Sequence, residues 1–148
     1  MGVEVTDDIF CNTHQDDEIW RGDSLQFLIN PFRQEVQGKG RYDYAMGHGV
    51  KGDQVSCHLS ADASAPAGMV RDIKLVTKRL DPKNGNMIYE IAIPWSRLIP
   101  FKPKAAADLG LAMILNEDDG GGRKSFMGWF SGVHLKETDF VGDVILEK

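Results

Sequence analysis

Ser24-Leu25-Gln26-Phe27-Leu28-Ile29-Asn30-Pro31 is the stretch that decides the fold. Leu25, Phe27 and Ile29 fall on one side of an extended chain, Ser24, Gln26 and Asn30 on the other. That two-residue period marks a strand with one face in a core. Pro31, with no N–H to give to a ladder, ends it. Immediately upstream, Trp20 stands among charges in Asp16-Asp17-Glu18-Ile19-Trp20-Arg21-Gly22-Asp23, at the mouth of the strand. Downstream, a Gln- and Gly-rich loop leads to Arg41–Gly47, where Tyr42, Tyr44 and Met46 share a face.

The signal recurs along the chain. Gln54–Leu59 places Val55, Cys57 and Leu59 together, and Val70–Leu80 is a longer basic and apolar strand. The turn Asp81-Pro82-Lys83-Asn84-Gly85-Asn86 joins it to Met87–Ile93 as a hairpin. Pro94-Trp95-Ser96-Arg97-Leu98 reads as one helical turn, with proline at its first position. Leu109–Leu115, Lys124–Phe130 and Phe140–Leu146 complete the strands. Short strands joined by hairpins and loops predict an all-β protein. The expected architecture is an antiparallel β-sandwich of jelly-roll or immunoglobulin-like two-sheet form, with one short helical turn. Residues 1–148 form a single domain with no internal repeat. The Gly120-Gly121-Gly122 tract is a loop and no phosphate cradle, since no lysine–serine pair or helical pattern follows it.

Composition limits the partners. A formal net charge of −5 with no basic stripe excludes a nucleic-acid footprint. No apolar run reaches the length of a membrane span. Met1-Gly2 opens directly into structured sequence, so no signal peptide is visible. Cys11 and Cys57 match no zinc or redox spacing and read as two buried thiols.

Trp20 and Trp129 are the candidate functional aromatics. Trp129 follows the glycine-rich loop in Phe126-Met127-Gly128-Trp129-Phe130. A flat ring at a strand–loop junction with polar neighbours suits the C–H face of a pyranose, whose hydroxyls then reach nearby donors and acceptors. The same rings would equally plug the ends of a sandwich core, and position alone does not separate the two.

Four stretches, in order, resemble the family 9 carbohydrate-binding modules and the wider DOMON-like group of β-sandwich domains. They are Val3-Glu4-Val5-Thr6-Asp7-Asp8; Ile19-Trp20-Arg21-Gly22-Asp23-Ser24-Leu25-Gln26; Tyr89-Glu90-Ile91-Ala92-Ile93-Pro94-Trp95; and Asn116-Glu117-Asp118-Asp119 with Gly122-Arg123 and Gly128-Trp129. The resemblance implies a non-catalytic module that holds a saccharide or glycan chain between two tryptophans, Trp20 and Trp129. Gln26, Asn116 and Arg123 would supply hydrogen bonds, and Tyr44 is a further candidate by position. Two departures alter the expected specificity. Gln26 stands where the family has Glu, so a charge-assisted acceptor is lost. Ile114 replaces a Gln that some members carry. Family members also begin with additional N-terminal strands that this sequence lacks, which predicts an open sheet edge and a homodimer formed through it. Work outside the cytoplasm, in the periplasm or beyond the cell, is implied by the resemblance alone.

Other constellations weigh less. The acidic runs Asp7-Asp8, Asp16-Asp17-Glu18 and Glu117-Asp118-Asp119 offer oxygens for structural calcium, which relatives carry. They lack EF-hand spacing and read as solvated loops. Some DOMON-like relatives hold haem through Met with His or Lys, and Met46, His48, Met113, Met127 and His134 are the residues this chain offers. Methionine on a strand is usually core filler, and there is no Cys-x-x-Cys-His, so no cofactor is expected. Glu90 with Asp118 or Asp119 forms no evident glycosidase pair, and Ser24 and Ser96 have no recognisable His and Asp companions. The expected protein is therefore a carbohydrate-binding module and not an enzyme. The alternative is a ligand-free interaction or assembly domain of the same fold, and third is a haem-carrying electron-transfer domain.

Overall fold

A computed structural model describes residues 1–31, 41–59, 70–81 and 83–147. Among them the chain forms nine strands in two sheets. The strands are β1 (Gly2–Val5), β2 (Ser24–Asn30), β3 (Tyr42–Gly49), β4 (Gly52–Leu59), β5 (Lys74–Arg79), β6 (Met87–Ala92), β7 (Asp108–Glu117), β8 (Ser125–Trp129) and β9 (Gly142–Ile145). The larger sheet runs β4-β3-β2-β7-β8, with β9 paired to the other end of β7. The smaller runs β1-β6-β5, and all pairings are antiparallel. The expected two-sheet antiparallel β-sandwich is what the chain forms. The loop expected at residues 32–40, and Pro82 in the β5–β6 turn, lie outside the described residues.

β2 is the spine of the larger sheet, paired to β3 on one side and β7 on the other. Its alternation has the consequence read from sequence. Leu25, Phe27 and Ile29 enter the core between the sheets with Tyr42, Tyr44 and Met46 of β3 and Met87, Tyr89 and Ile91 of β6. Each such side chain removes a large apolar surface from water, worth roughly 1.5–3 kcal/mol for a fully buried one. Ser24, Gln26, Leu28 and Asn30 therefore face outward, away from the second sheet.

That outward face is covered at two places, and both coverings depart from the sequence reading. Asp16–Arg21, expected as the approach to a strand, is a 3₁₀ helix that carries Trp20. Gly132–Leu135 is a short helix, α1, where none was foreseen, ended by Lys136 in the left-handed conformation. Val133 of α1 and Val141 form a second, small core with Leu28, Ala112 and Ile114. An isolated helix of this length has no stability in water, and its local pattern carries no signal; tertiary burial of Val133 creates it. β5 is also shorter than expected, because Val70–Asp72 is a turn. The turn at Trp95–Arg97 is 3₁₀ in form. Cys11 and Cys57 remain thiols, and burial pushes the Cys57 thiol up to about 12.

Candidate functional site

A pocket of about 490 Å³ opens on the outward face of the larger sheet, between the Trp20 helix and α1. Its floor is one row of residues that the strand registers bring side by side: Ala45 of β3, Gln26 of β2 and Ile114 of β7. Small neighbours make this row concave, Ala45 on one side and Gly128, which pairs with Ile114, on the other. Trp20 and Arg123 stand at one end; Arg41, Asp43, His134 and Lys136 line the other.

Trp20 is held by the turn on which it sits. Ile19, wholly buried, anchors the 3₁₀ helix, and Gly49 lets it approach β3. A Cβ at Gly49 would lie 2.2 Å from the His14 carbonyl oxygen and 2.7 Å from Ile19 Cδ1. Asn12 Nδ2 donates to the carbonyls of Ile19 (2.9 Å) and Asp23 (3.0 Å), so one buried amide ties both ends of the turn. Trp20 is thus left half-buried, with its ring toward the pocket rather than in a core.

Arg123 arrives on a loop built for it. The backbone N–H of Asp118 donates to Asp23 Oδ1 (2.8 Å), which joins the β7–β8 loop to the start of β2. Asp118, 1% exposed, accepts the N–H groups of Gly120 (2.7 Å) and Gly122 (2.9 Å) at one carboxylate oxygen. Gly120 and Gly122 have φ of 96° and 90°, the left-handed region that glycine enters without strain. Lys124 N–H then closes the hairpin on the Glu117 carbonyl (2.9 Å). The Arg123 guanidinium carbon comes to rest 5.6 Å from the centroid of the Trp20 ring and 4.9 Å from that of Phe126. Both distances are within cation–π range.

Asp23 ties three segments. One oxygen takes the Asp118 N–H, the other the Cys11 N–H at 2.5 Å. Two such donors favour the carboxylate, but burial outweighs them and pushes its pKa from 3.8 up to about 7.

The six residues picked out by sequence are placed as follows. Trp20, Gln26 and Arg123 are brought together in the pocket lining. Asn116, 1% exposed, lies in the adjacent row and donates to Ser24 Oγ (3.0 Å) and Gln26 Oε1 (3.2 Å). It orients Gln26, whose Oε1 is then occupied while its NH₂ stays available to a ligand. Tyr44 points the other way. Its ring is 1% exposed in the core between the sheets, and burial holds its phenol far above the usual value of 10. Tyr44 itself borders the pocket, with its ring packed in the core on the other side of the sheet.

Trp129 does not stand beside Trp20. It pairs with Met113 and so shares that residue's face, the side of the sheet facing the second sheet, opposite to Gln26 and Ile114. It is 46% exposed there and meets Phe130 edge-on at 4.8 Å. The ring on the pocket side of β8 is Phe126, paired with Asn116 and in contact with His134 at 5.0 Å. Phe126 and Trp129 are three apart in one strand, so they cannot share a face. Phe126, Asp43, Arg41, His134 and Lys136 were missed because their relation to Trp20 depends on the registers of β2 with β3 and of β7 with β8 and on α1.

The other constellations are also placed. Asp7, Asp8 and Asp119 carry carboxylate oxygens within 4.8 Å of one another, and Lys124 forms an ion pair with Asp119 there. Met46 is buried in the core, and His48 Nδ1 lies 2.7 Å from Asp53 Oδ1, in a cluster with Thr77. Met113 packs on the core, Met127 is exposed, and His134 lies against Phe126.

Over residues 1–148 the chain matches the family model described as carbohydrate family 9 binding domain-like. It belongs to that family. Among solved structures, this family 9 domain is similar to a family 9 carbohydrate binding module from Caldicellulosiruptor kristjanssonii in complex with glucose. The TM-score is 0.72 at 14% identity, over 99% of this chain and 69% of that one. A family 9 module of the same organism in complex with cellotriose gives a TM-score of 0.71 at 15% identity, over 99% and 67%. At such identities the likeness is one of fold. Among curated proteins none matches.

Proposed function

We propose that this family 9 domain is a non-catalytic saccharide-binding module and that the pocket between the Trp20 helix and α1 is its binding site. One observation carries the reading. One pocket lining brings the Trp20 ring together with polar side chains of both kinds, the NH₂ of Gln26, the Arg123 guanidinium and the Asp43 carboxylate. Sugar hydroxyls, which both donate and accept, would meet such donors and acceptors while the Trp20 ring takes the C–H face. The glucose and cellotriose held by the two similar modules are in keeping with this ligand class.

A binding role is favoured over catalysis by the lining, which among the described residues has a single carboxylate. Asp43 is held by Arg41 Nε at 3.1 Å and Lys136 Nζ at 3.9 Å, whereas glycoside hydrolysis takes two carboxylates across one bond. Stacking on one side with a few hydroxyl contacts in an open site gives affinities on the order of micromolar or weaker. Titration of tryptophan fluorescence with glucose and cellotriose tests the reading. A saturable change is expected, lost in Trp20→Ala, weakened in Phe126→Ala and retained in Trp129→Ala. A change lost in Trp129→Ala and kept in Trp20→Ala would move the site to the other face.

A second reading, assembly through a sheet edge, is favoured by one further feature. Among the described residues β1 pairs only with β6, and beside its end a cleft of about 240 Å³ opens between Val5, Phe10, Leu115 and Met127. Met127 (74% exposed), Trp129 and Phe130 (48%) form an apolar strip on that side. Such an edge takes up a further strand, in a homodimer the same strand of a second copy. Sedimentation from micromolar to submillimolar protein should then show a dimer that Met127→Lys abolishes; a monomer throughout removes this reading.

A further inference from the structure

We infer that the pocket selects an acidic saccharide, one whose ring carries a carboxylate or sulfate substituent, over its neutral counterpart. The inference rests on the saccharide reading above and specifies its ligand class. It follows from the balance of charge around the pocket. Among the described residues the lining contains three permanent cations, Arg41, Lys136 and Arg123, against one carboxylate, Asp43. The whole chain has a formal net charge of −5, so this concavity has the opposite sign to the protein that contains it. A cleft of one sign with apolar walls concentrates the field on a ligand of the other sign.

Arg123 is the decisive residue. The nearby cations have counter-charges: Arg41 and Lys136 share Asp43, and Arg21, also against the Trp20 ring at 5.3 Å, is paired with Glu18 at 3.2 Å. Arg123 forms no ion pair among the described residues, and its Nε is buried with no acceptor. Only the faces of Trp20 and Phe126 hold it. Its terminal N–H groups have no hydrogen-bond partner among the described residues and are the donors left for a ligand. A planar fork with a free edge matches the two oxygens of a carboxylate or sulfate better than it matches one hydroxyl. Asp43, the carboxylate at the other end of the pocket, disfavours a second anion there and so gives the sugar a direction. The loop that delivers Arg123, with Asp118 accepting two backbone N–H groups, holds this guanidinium in place before the ligand arrives.

The test uses a matched set that differs only at C6: methyl β-D-glucoside, methyl β-D-glucuronide and the 6-sulfate of the glucoside, titrated against the full chain by tryptophan fluorescence and calorimetry. At least one acidic ligand is expected to bind about tenfold more tightly than the glucoside, and the two acidic arms tell which anion fits. That ratio should fall toward one in Arg123→Gln, fall partway in Lys136→Gln, and shrink as sodium chloride rises from about 50 to about 500 mM. Circular dichroism and a melt of each variant confirm that the fold is kept. Equal affinity for all three ligands overturns the acidic preference and leaves the saccharide reading standing. A preference that survives in Arg123→Gln overturns the role of Arg123. Binding of none of the three ends both readings together.

Discussion

Asp23→Asn is the substitution that examines the architecture of the site most directly. Asp23 is 3% exposed and joins the Cys11 segment, the start of β2 and the β7–β8 loop through two backbone N–H groups. Burial raises its pKa from 3.8 to about 7. The folded state therefore binds the proton more tightly than the unfolded state does. The sign follows from linkage: this contribution to stability is fully present below about pH 4, declines as the pH rises toward 7, and is absent above it. At about 1.4 kcal/mol per pH unit, its ceiling is about 4 kcal/mol. Relaxation of the loop and water entry reduce that, and about 2–3 kcal/mol is the expected fall between pH 4 and pH 8. Asn offers one carbonyl oxygen where the carboxyl offers two, so one backbone N–H loses its acceptor at a cost of roughly 1–3 kcal/mol. The assay is urea unfolding of both proteins at pH 4, 6 and 8. The difference between their pH profiles isolates Asp23 from Asp53, where burial raises the pKa but hydrogen bonds from Thr77 and His48 outweigh it and lower it, so that it contributes with opposite slope. Parallel profiles for the two proteins, or an Asp23 carboxyl resonance that titrates below pH 5, would refute the reasoning.

Further predictions concern the same frame. Asp118→Ala leaves the Gly120 and Gly122 N–H groups without their acceptor and should lower stability by roughly 2–4 kcal/mol, read by the same denaturation. It should also weaken saccharide binding, because the loop no longer fixes Arg123. Gly22→Ala would bring a Cβ within 2.6 Å of Asn12 Cγ and 2.8 Å of the Asn12 Cα, and should cost at least about 2 kcal/mol, since backbone has to move. Treatment with a chelator should leave the melting temperature unchanged, because the Lys124 ammonium already neutralises Asp119 beside Asp7 and Asp8. A fall of several degrees would show that those carboxylates hold a divalent cation in solution.

Local and periodic features were legible in the residues alone. The alternation of Ser24–Asn30 placed Leu25, Phe27 and Ile29 in the core and Gln26 on the outer face, because a strand sends successive side chains to opposite sides. The same rule put Tyr42, Tyr44 and Met46 together and makes Phe126 and Trp129 face opposite ways, whatever their partners. The motif around Trp20 and the glycine-rich loop before Phe126 marked the region of the pocket. Tertiary structure decided the rest. Which of Phe126 and Trp129 joins Trp20 depends on the β7–β8 register, set by the closure of Lys124 on Glu117. The helix that brings His134 and Lys136 exists because Val133 is buried against Leu28 and Ile114, a contact between segments about a hundred residues apart in the case of Leu28. Arg123 stands against two rings, without an ion pair among the described residues, only because the fold brings Trp20 and Phe126 to it. Periodicity is written residue by residue; register, burial and charge balance are properties of the assembled sheets.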